Sequence, residues 1–401
     1  MSNSKYIESN SENKGGIPNA AYLLTGCIGV IGANSLVLGP IAPEVALSLH
    51  VNVSQIMLAA SAFGLGTALS ALFLAHHIDR LGAFKVLRMS MILLAMALFA
   101  SSISPVVSAL IVAQLIVGLA AGIALPAIYA NAITVAPKGQ ESKVLSVVLT
   151  GWTISMIAGV SLSVVLSGFL GWRSVYATIS LLALLAWVGL TRLNISDSIT
   201  EDSPPMPLTA LTLPGIKPLL ICCFAFMAAF YGMYGFIGDY LHHVLELPLL
   251  ANSLIALVYG LGFGCAIFLN PLVKKVEIKR LFFITLIFVA TLYLLMALLG
   301  QYVSAVFGVL FVLGLANHFA VNLLIMRLTD VDNTKRGTIM GLYSTVTYIG
   351  VFIGTSIYGQ IYLHFGFSML AYTSMALTIF AIVAGFWKSN TKRRLVSLIS
   401  G

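Results

Sequence analysis

Apolar runs long enough to cross a bilayer recur along nearly the whole chain, separated only by short polar segments. A helix needs about 20 apolar residues to span the hydrocarbon core, and within it every backbone N–H and C=O must find a partner in the same segment. Runs at about 18–44, 53–77, 86–104, 106–133, 144–169 and 174–191 satisfy this requirement. Six more follow at about 217–239, 249–271, 281–300, 302–326, 338–363 and 366–388. The expectation is an all-α membrane protein with twelve transmembrane helices. Composition agrees, since 8% of residues are charged, where soluble domains carry about 25%.

The polar residues divide the chain. Residues 1–16 read as a disordered cytoplasmic tail, 17–192 as an N-terminal six-helix unit, and 193–216 as a cytoplasmic linker. The linker is marked by Asp197, Glu201, Asp202 and the prolines Pro204, Pro205, Pro207 and Pro214. A second six-helix unit covers 217–388, and 389–401 is a basic cytoplasmic tail. The first run is too long for a signal-peptide core and reads as a retained span.

Charge sets the orientation. The stretch 75–87 is too polar to remain in hydrocarbon and forms a hairpin at the membrane face, with Gly82 at the turn. With that hairpin inside, 20 of the 21 Lys and Arg residues lie on the cytoplasmic side and only Arg173 lies outside. Both termini are then cytoplasmic, as in a bacterial inner-membrane protein. The net charge of +8 is spread between the spans and forms no basic stripe, so nucleic acid is not an expected partner. Cys27, Cys222, Cys223 and Cys265 all fall inside apolar runs, without CxxC or Cys/His spacing. No disulfide, metal or cofactor is expected. The pairs His76-His77 and His242-His243 lie at opposite faces and read as interfacial. Shifting the chain by 191 residues lays Gly159 on Gly350 and Gly168 on Gly359, the mark of an internal repeat.

The hairpin carries Asp79-Arg80-Leu81-Gly82, followed by Lys85 and Arg88. This resembles the loop between the second and third spans of the major facilitator superfamily. Ala75 stands where Gly is usual there, and Ala83 and Phe84 where basic residues are usual. The resemblance implies two six-helix bundles, a central site used by alternating access, and a gating role for Asp79, Arg80, Gly82 and Lys85. Span five is rich in small residues, including Gly151, Gly159, Ser161, Ser163 and Gly168, which allow close helix packing. With Gly171-Trp172-Arg173 it looks like the fifth-span motif of the drug and sugar efflux branch, near the arabinose and nucleoside exporters. Gly159-Val-Ser-Leu-Ser163 stands where that branch has Gly-Val-Pro-x-Gly. Two charges usual in the branch are absent: Gln114 stands for the span-four Arg, and Asn34 and Ser35 stand where span one carries its acid.

The resemblance further implies that spans one, four, seven and ten line the cavity. Their candidates for solute binding are Asn34, Gln114, Tyr231, Tyr234, Asn317, His318 and Asn322, with Trp152 and Tyr259 from neighbouring spans. This lining is neutral and aromatic, which favours a neutral or weakly basic solute. His318 is the ionisable side chain at mid-depth and, with Asp239 near the end of span seven, is a candidate for coupling to protons. The expected function is export of a small organic solute by a proton-coupled, monomeric carrier. An uncoupled facilitator is the alternative. A membrane enzyme or sensor is remote, because no catalytic constellation and no soluble output domain is visible.

Overall fold

The structure is a computed structural model that describes residues 17–74, 78–193, 206–269, 277–332 and 335–386, apart from the Asp79 side chain. The first half comprises α1 (Asn19–Leu49), α2 (Val53–Phe73), α3 (Ala83–Ser102), α4 (Val107–Thr134), α5 (Glu141–Leu170) and α6 (Trp172–Thr191). The second half begins with α7 (Ile216–Val244), α8 (Leu249–Leu269), α9 (Ile278–Leu299) and α10 (Val303–Thr329). The helical path then runs over Arg336–Phe386, 51 residues. That is about 77 Å of helix, far more than a bilayer needs. Gly366 breaks it with φ 75° and ψ −177°, giving α11 (336–365) and α12 (367–386). Twelve spans result, in two six-helix bundles.

Local chemistry explains the corners. Asn52 and Gln55 form a reciprocal capping box at the start of α2, each side chain accepting the other's backbone N–H. Gly82 and Gly171 turn the chain at φ 89° and 81°, a region closed to most side chains. One boundary differs from the sequence reading, in which the first run ends at about 44. α1 instead passes through Pro40 and Pro43 to Leu49. Proline is tolerated within a membrane helix, and Asn252 of α8 holds this part of α1 by donating to the Pro40 carbonyl at 2.8 Å.

The two halves repeat one another closely. Adding 196 to α2 (53–73) gives α8 (249–269), and adding 195 to α5 (141–170) and α6 (172–191) gives α11 (336–365) and α12 (367–386). The contacts repeat as well. A Cβ on Gly66 would overlap the Leu115 carbonyl, and one on Gly118 the Phe63 carbonyl, so α2 and α4 touch backbone to backbone. Adding 196 to 66, 115, 118 and 63 gives 262, 311, 314 and 259: Gly262 packs on the Phe311 carbonyl and Gly314 on the Tyr259 carbonyl, between α8 and α10. This register corrects the shift of 191. Gly159 lies against Ala33, and its mate is Gly354, which lies against Ala228. Gly350 is one helical turn away, on the same face, and is matched instead to Ser155 beside Gly32.

Odd-numbered helices begin, and even-numbered helices end, at one face, named here for Gly82; the opposite face is named for Gly171. The halves meet from mid-depth to the Gly171 face. There Gly39 of α1 and its mate Gly235 of α7 approach so closely that a Cβ on Gly39 would lie 3.1 Å from the Gly235 Cα. Gly238 packs on the Gly39 carbonyl, and Asn252 donates to the carbonyls of both Pro40 and Gly238. At mid-depth Gly64 of α2 packs on α11, while its mate Gly260 of α8 packs on α5.

Candidate functional site

Below the closed seam, towards the Gly82 face, the space between the halves is lined mainly by rings. Tyr129 of α4, Trp152 of α5, Tyr231 of α7, Phe263 of α8 and Tyr343 of α11 are all partly exposed. Tyr343 has both Tyr129 and Tyr231 as neighbours, which brings α4, α7 and α11 to one space. Ser35 and Tyr231, mates 196 residues apart, approach each other there.

The two halves present different chemistry to this space. In the first half, Asn34 of α1 donates to Gln114 Oε1 of α4 at 3.1 Å, and Gln114 Nε2 donates to Ser101 Oγ of α3 at 3.1 Å. Both amides are buried and bind each other. In the second half a chain of rings runs from α7 across α8 to α10. Phe230 stacks on Tyr259 with centroids 5.0 Å apart, and Tyr234 lies 5.9 Å from Tyr259. Phe263 meets His318 edge-on at 4.9 Å. Asn317 donates to the Tyr259 hydroxyl at 3.1 Å. Here the polar atoms are not mutually satisfied: the Tyr234 hydroxyl, Asn317 Oδ1 and His318 Nδ1 are buried with no hydrogen-bond partner. Such atoms cost free energy unless something supplies their bonds.

His318 is half-buried, and its position follows from the repeat. Its mate is Gly122, where a Cβ would overlap the Thr67 carbonyl. An imidazole therefore occupies a place that in the first half has no room for a methyl group. α8 departs from α-helical geometry close by, ending in the 3-10 turn Ala266–Leu269. Asn322, one turn further along α10, is exposed.

Span five packs through its small residues. Gly151 meets the Thr25 carbonyl and Ile28 of α1, Gly159 meets Ala33, and Gly168 meets Leu250 of α8. Ser163 donates to the Gly159 carbonyl at 2.6 Å, while the Ser161 hydroxyl is buried and unpartnered. Between them, Ser155–Val160 is π-helical where α5 passes between α1 and α8. Sequence reasoning missed this segment, because a single added residue leaves no compositional trace. Segments of this kind recur at functional sites.

At the Gly82 face, Ile78–Leu81 forms one helical turn, with Arg80 exposed and Gly82 at the corner. Ala75, His76, His77 and the Asp79 side chain lie outside the described residues. Lys85 is exposed on the first turn of α3. At the Gly171 face, Asp239 is buried and accepts hydrogen bonds from Tyr362 at 2.6 Å and His243 at 2.7 Å. Among the described residues no group of three His, Cys, Asp or Glu could hold a metal ion, and no Asp, Glu, Lys or Arg lies near the middle of a span. This lining is suited to binding an uncharged solute.

Comparison with known proteins agrees with this architecture. A family model described as Major Facilitator Superfamily matches residues 24–355. The uncharacterized MFS-type transporter YwfA of Bacillus subtilis (strain 168) is 24% identical over 371 residues, covering 90% of each chain. A probable sugar efflux transporter of Pasteurella multocida (strain Pm70) is 25% identical over 255 residues, 62% of this chain and 61% of that one. The crystal structure of the nucleoside transporter NupG superposes with a TM-score of 0.73 at 17% identity, covering 92% of this chain and 98% of that one. A bacterial homologue of the lysosomal transporter Spinster, inward-facing and unoccupied, gives 0.71 at 16% identity, with 92% and 96% covered. The family match spans well over half of the chain, and with the repeated six-helix bundles it leads to one conclusion: this chain belongs to the major facilitator superfamily of transporters.

Proposed function

We propose that the protein exports a small organic solute of drug, sugar or nucleoside type across the bacterial inner membrane, as a monomeric, proton-coupled carrier working by alternating access. The Gly82 face is cytoplasmic, as are both tails, 1–16 and 389–401, and the linker 193–216. The rocking units are 17–192 and 217–388. The asymmetry of the basic residues supports this orientation. With that orientation, the contacts at the Gly171 face support an inward-facing state, closed to the outside.

The carrying observation is the set of unpartnered polar atoms on Tyr234, Asn317 and His318 beside the stacked rings of Phe230 and Tyr259. A bound solute supplies the missing hydrogen bonds and a face for the rings. Asn34, Gln114, Tyr231 and Asn322 complete the proposed site, and Asp79, Arg80, Gly82 and Lys85 form the cytoplasmic gating loop. His318 is the leading candidate for proton coupling, with Asp239 the other. The second reading, an uncoupled facilitator, rests on Asn34 and Gln114, which bind each other where the branch carries charges.

A thermal-shift screen of purified protein against sugars, nucleosides and amphipathic drugs, at about pH 6 and about pH 8, tests the assignment. A ligand at a hundred times its Kd adds about 2.7 kcal/mol of stability. Stabilisation by one solute class that depends on pH, and loses that dependence in His318→Gln, is the expected result. Stabilisation indifferent to pH, with substrate gradients unaffected by a protonophore, moves the reading to the facilitator. No stabilisation by any class overturns the assignment of a drug, sugar or nucleoside type of solute.

A further inference from the structure

Where α7, α9, α10 and α12 reach the Gly82 face, the second half holds a cation that the fold does not require. Arg327 stands two residues before the end of α10. Its guanidinium lies over the rings of Phe282 and Phe386, 5.2 and 4.9 Å from their centroids, and Nη2 donates to the Gly385 carbonyl at 3.2 Å. The rings attract the charge without taking up its N–H donors, and Nη1 is buried with no hydrogen-bond partner. The mate of Arg327, 196 residues earlier, is Asn131. That amide is buried and donates to the Ala127 carbonyl of its own helix at 2.7 Å. The first half thus builds the same corner without a charge.

Arg327 also lines a cavity of about 620 Å³, together with Lys279 on the first turn of α9. Leu219, Ile278 and Val331 give it an apolar wall, and the exposed residues Glu277 and Asp330 place carboxylates at its edge. Among the described residues neither carboxylate forms an ion pair with Arg327 or Lys279. A partly buried cation without a counter-ion is costly, so the position calls for an anion from outside the chain. Depth and charge narrow its class. The cavity lies at the level of the helix ends, where lipid headgroups lie, and half of its wall is apolar. The two carboxylates oppose a multiply charged anion more than a phosphodiester, which carries a single charge. A guanidinium fork also matches phosphate oxygens well.

We propose that this cavity binds the phosphodiester group of a membrane phospholipid, held by Arg327 and Lys279, with the glycerol and upper acyl chain against Leu219, Ile278 and Val331. A lipid seated there ties α7, α9, α10 and α12 together at the Gly82 face. The site is independent of the transported solute and of the direction of transport.

The test is thermal unfolding of the full-length chain, purified and delipidated in a maltoside detergent, since a ligand of the folded state raises the melting temperature. Dioleoylphosphatidylglycerol is expected to raise it by several degrees. Dioleoylglycerol, which lacks the phosphate, and inorganic phosphate, at an ionic strength matched with chloride, are expected to have little effect. Arg327→Gln loses most of the shift and Arg327→Lys keeps part of it. Lys143→Gln, which removes an exposed cation from the same face of the first half, keeps all of it. Asp330→Asn enlarges it by removing a repulsion. Should Arg327→Gln fold poorly, Lys279→Gln changes only an exposed side chain, and native mass spectrometry is expected to show fewer phosphatidylglycerol molecules retained than in the wild type. An equal shift with dioleoylglycerol, or a shift that survives both Arg327→Gln and Lys279→Gln, overturns the site. An equal, Arg327-dependent shift with inorganic phosphate overturns the lipid source in favour of a soluble oxyanion. A lipid-free melting temperature that falls in Asp330→Asn, with no response to phosphatidylglycerol in the wild type, makes Asp330 the partner of Arg327 and overturns the proposal.

Discussion

Asn34 and Gln114 show what one pair of side chains can and cannot do. Each amide is buried and satisfied only by the other and by Ser101. Asn34→Ala strands the Gln114 amide, which costs about 1–3 kcal/mol, while replacing both residues with leucine is expected to recover much of that loss. A double-mutant cycle on thermal unfolding measures the coupling. Glycine packing gives a sharper contrast within a single helix. A Cβ at Gly314 would overlap the Tyr259 carbonyl, a backbone atom that cannot rotate away, whereas nothing lies within 4 Å of one at Gly308. Gly314→Ala is expected to destabilise by about 1–3 kcal/mol. Gly308→Ala is expected to be neutral or slightly stabilising, since alanine is the better helix former. Melting both variants in one detergent decides the point.

At the level of helices, the corner at Gly366 separates backbone conformation from crowding. Its φ is 75° with ψ −177°, and a Cβ there would meet no atom within 4 Å, so Gly366→Ala should cost only the strain of a backbone region that glycine alone adopts freely, about 1–3 kcal/mol. Gly366→Pro, which fixes φ near −65°, should abolish the α11–α12 corner and the folded protein with it. Span number was legible in the sequence because a bilayer leaves so few ways to satisfy a backbone. The repeat was visible too, but in the wrong register. Gly350 and Gly354 stand one turn apart on the same face, and only the partners Met227 and Ala228 tell them apart. Among the cavity candidates the sequence supplied Tyr234 and Asn317, because a polar atom in a span stands out. It did not supply Phe230 or Tyr343, since an aromatic residue in an apolar run carries no mark of which way it faces.

For the whole molecule, the pseudo-twofold relation places Gly39 against its own mate Gly235, so the seam at the Gly171 face closes on the axis itself. Bulk added there should act on the balance between states more than on folding. Gly238→Val pushes on the Gly39 carbonyl and the Pro40 backbone and is expected to shift the population towards opening at the Gly171 face. Faster labelling of Leu38→Cys by a membrane-impermeant thiol reagent from that side would report it. The neutral interior has an electrical consequence. Moving one elementary charge through the membrane field is worth about 2.3 kcal/mol per 100 mV, yet no Asp, Glu, Lys or Arg among the described residues lies near the middle of a span. The rocking of the two halves proposed above would therefore displace little charge of the protein's own. Any current that accompanies transport of an uncharged solute would belong to the ion that travels with it, and a patch of membrane filled with this carrier becomes a direct counter of those ions.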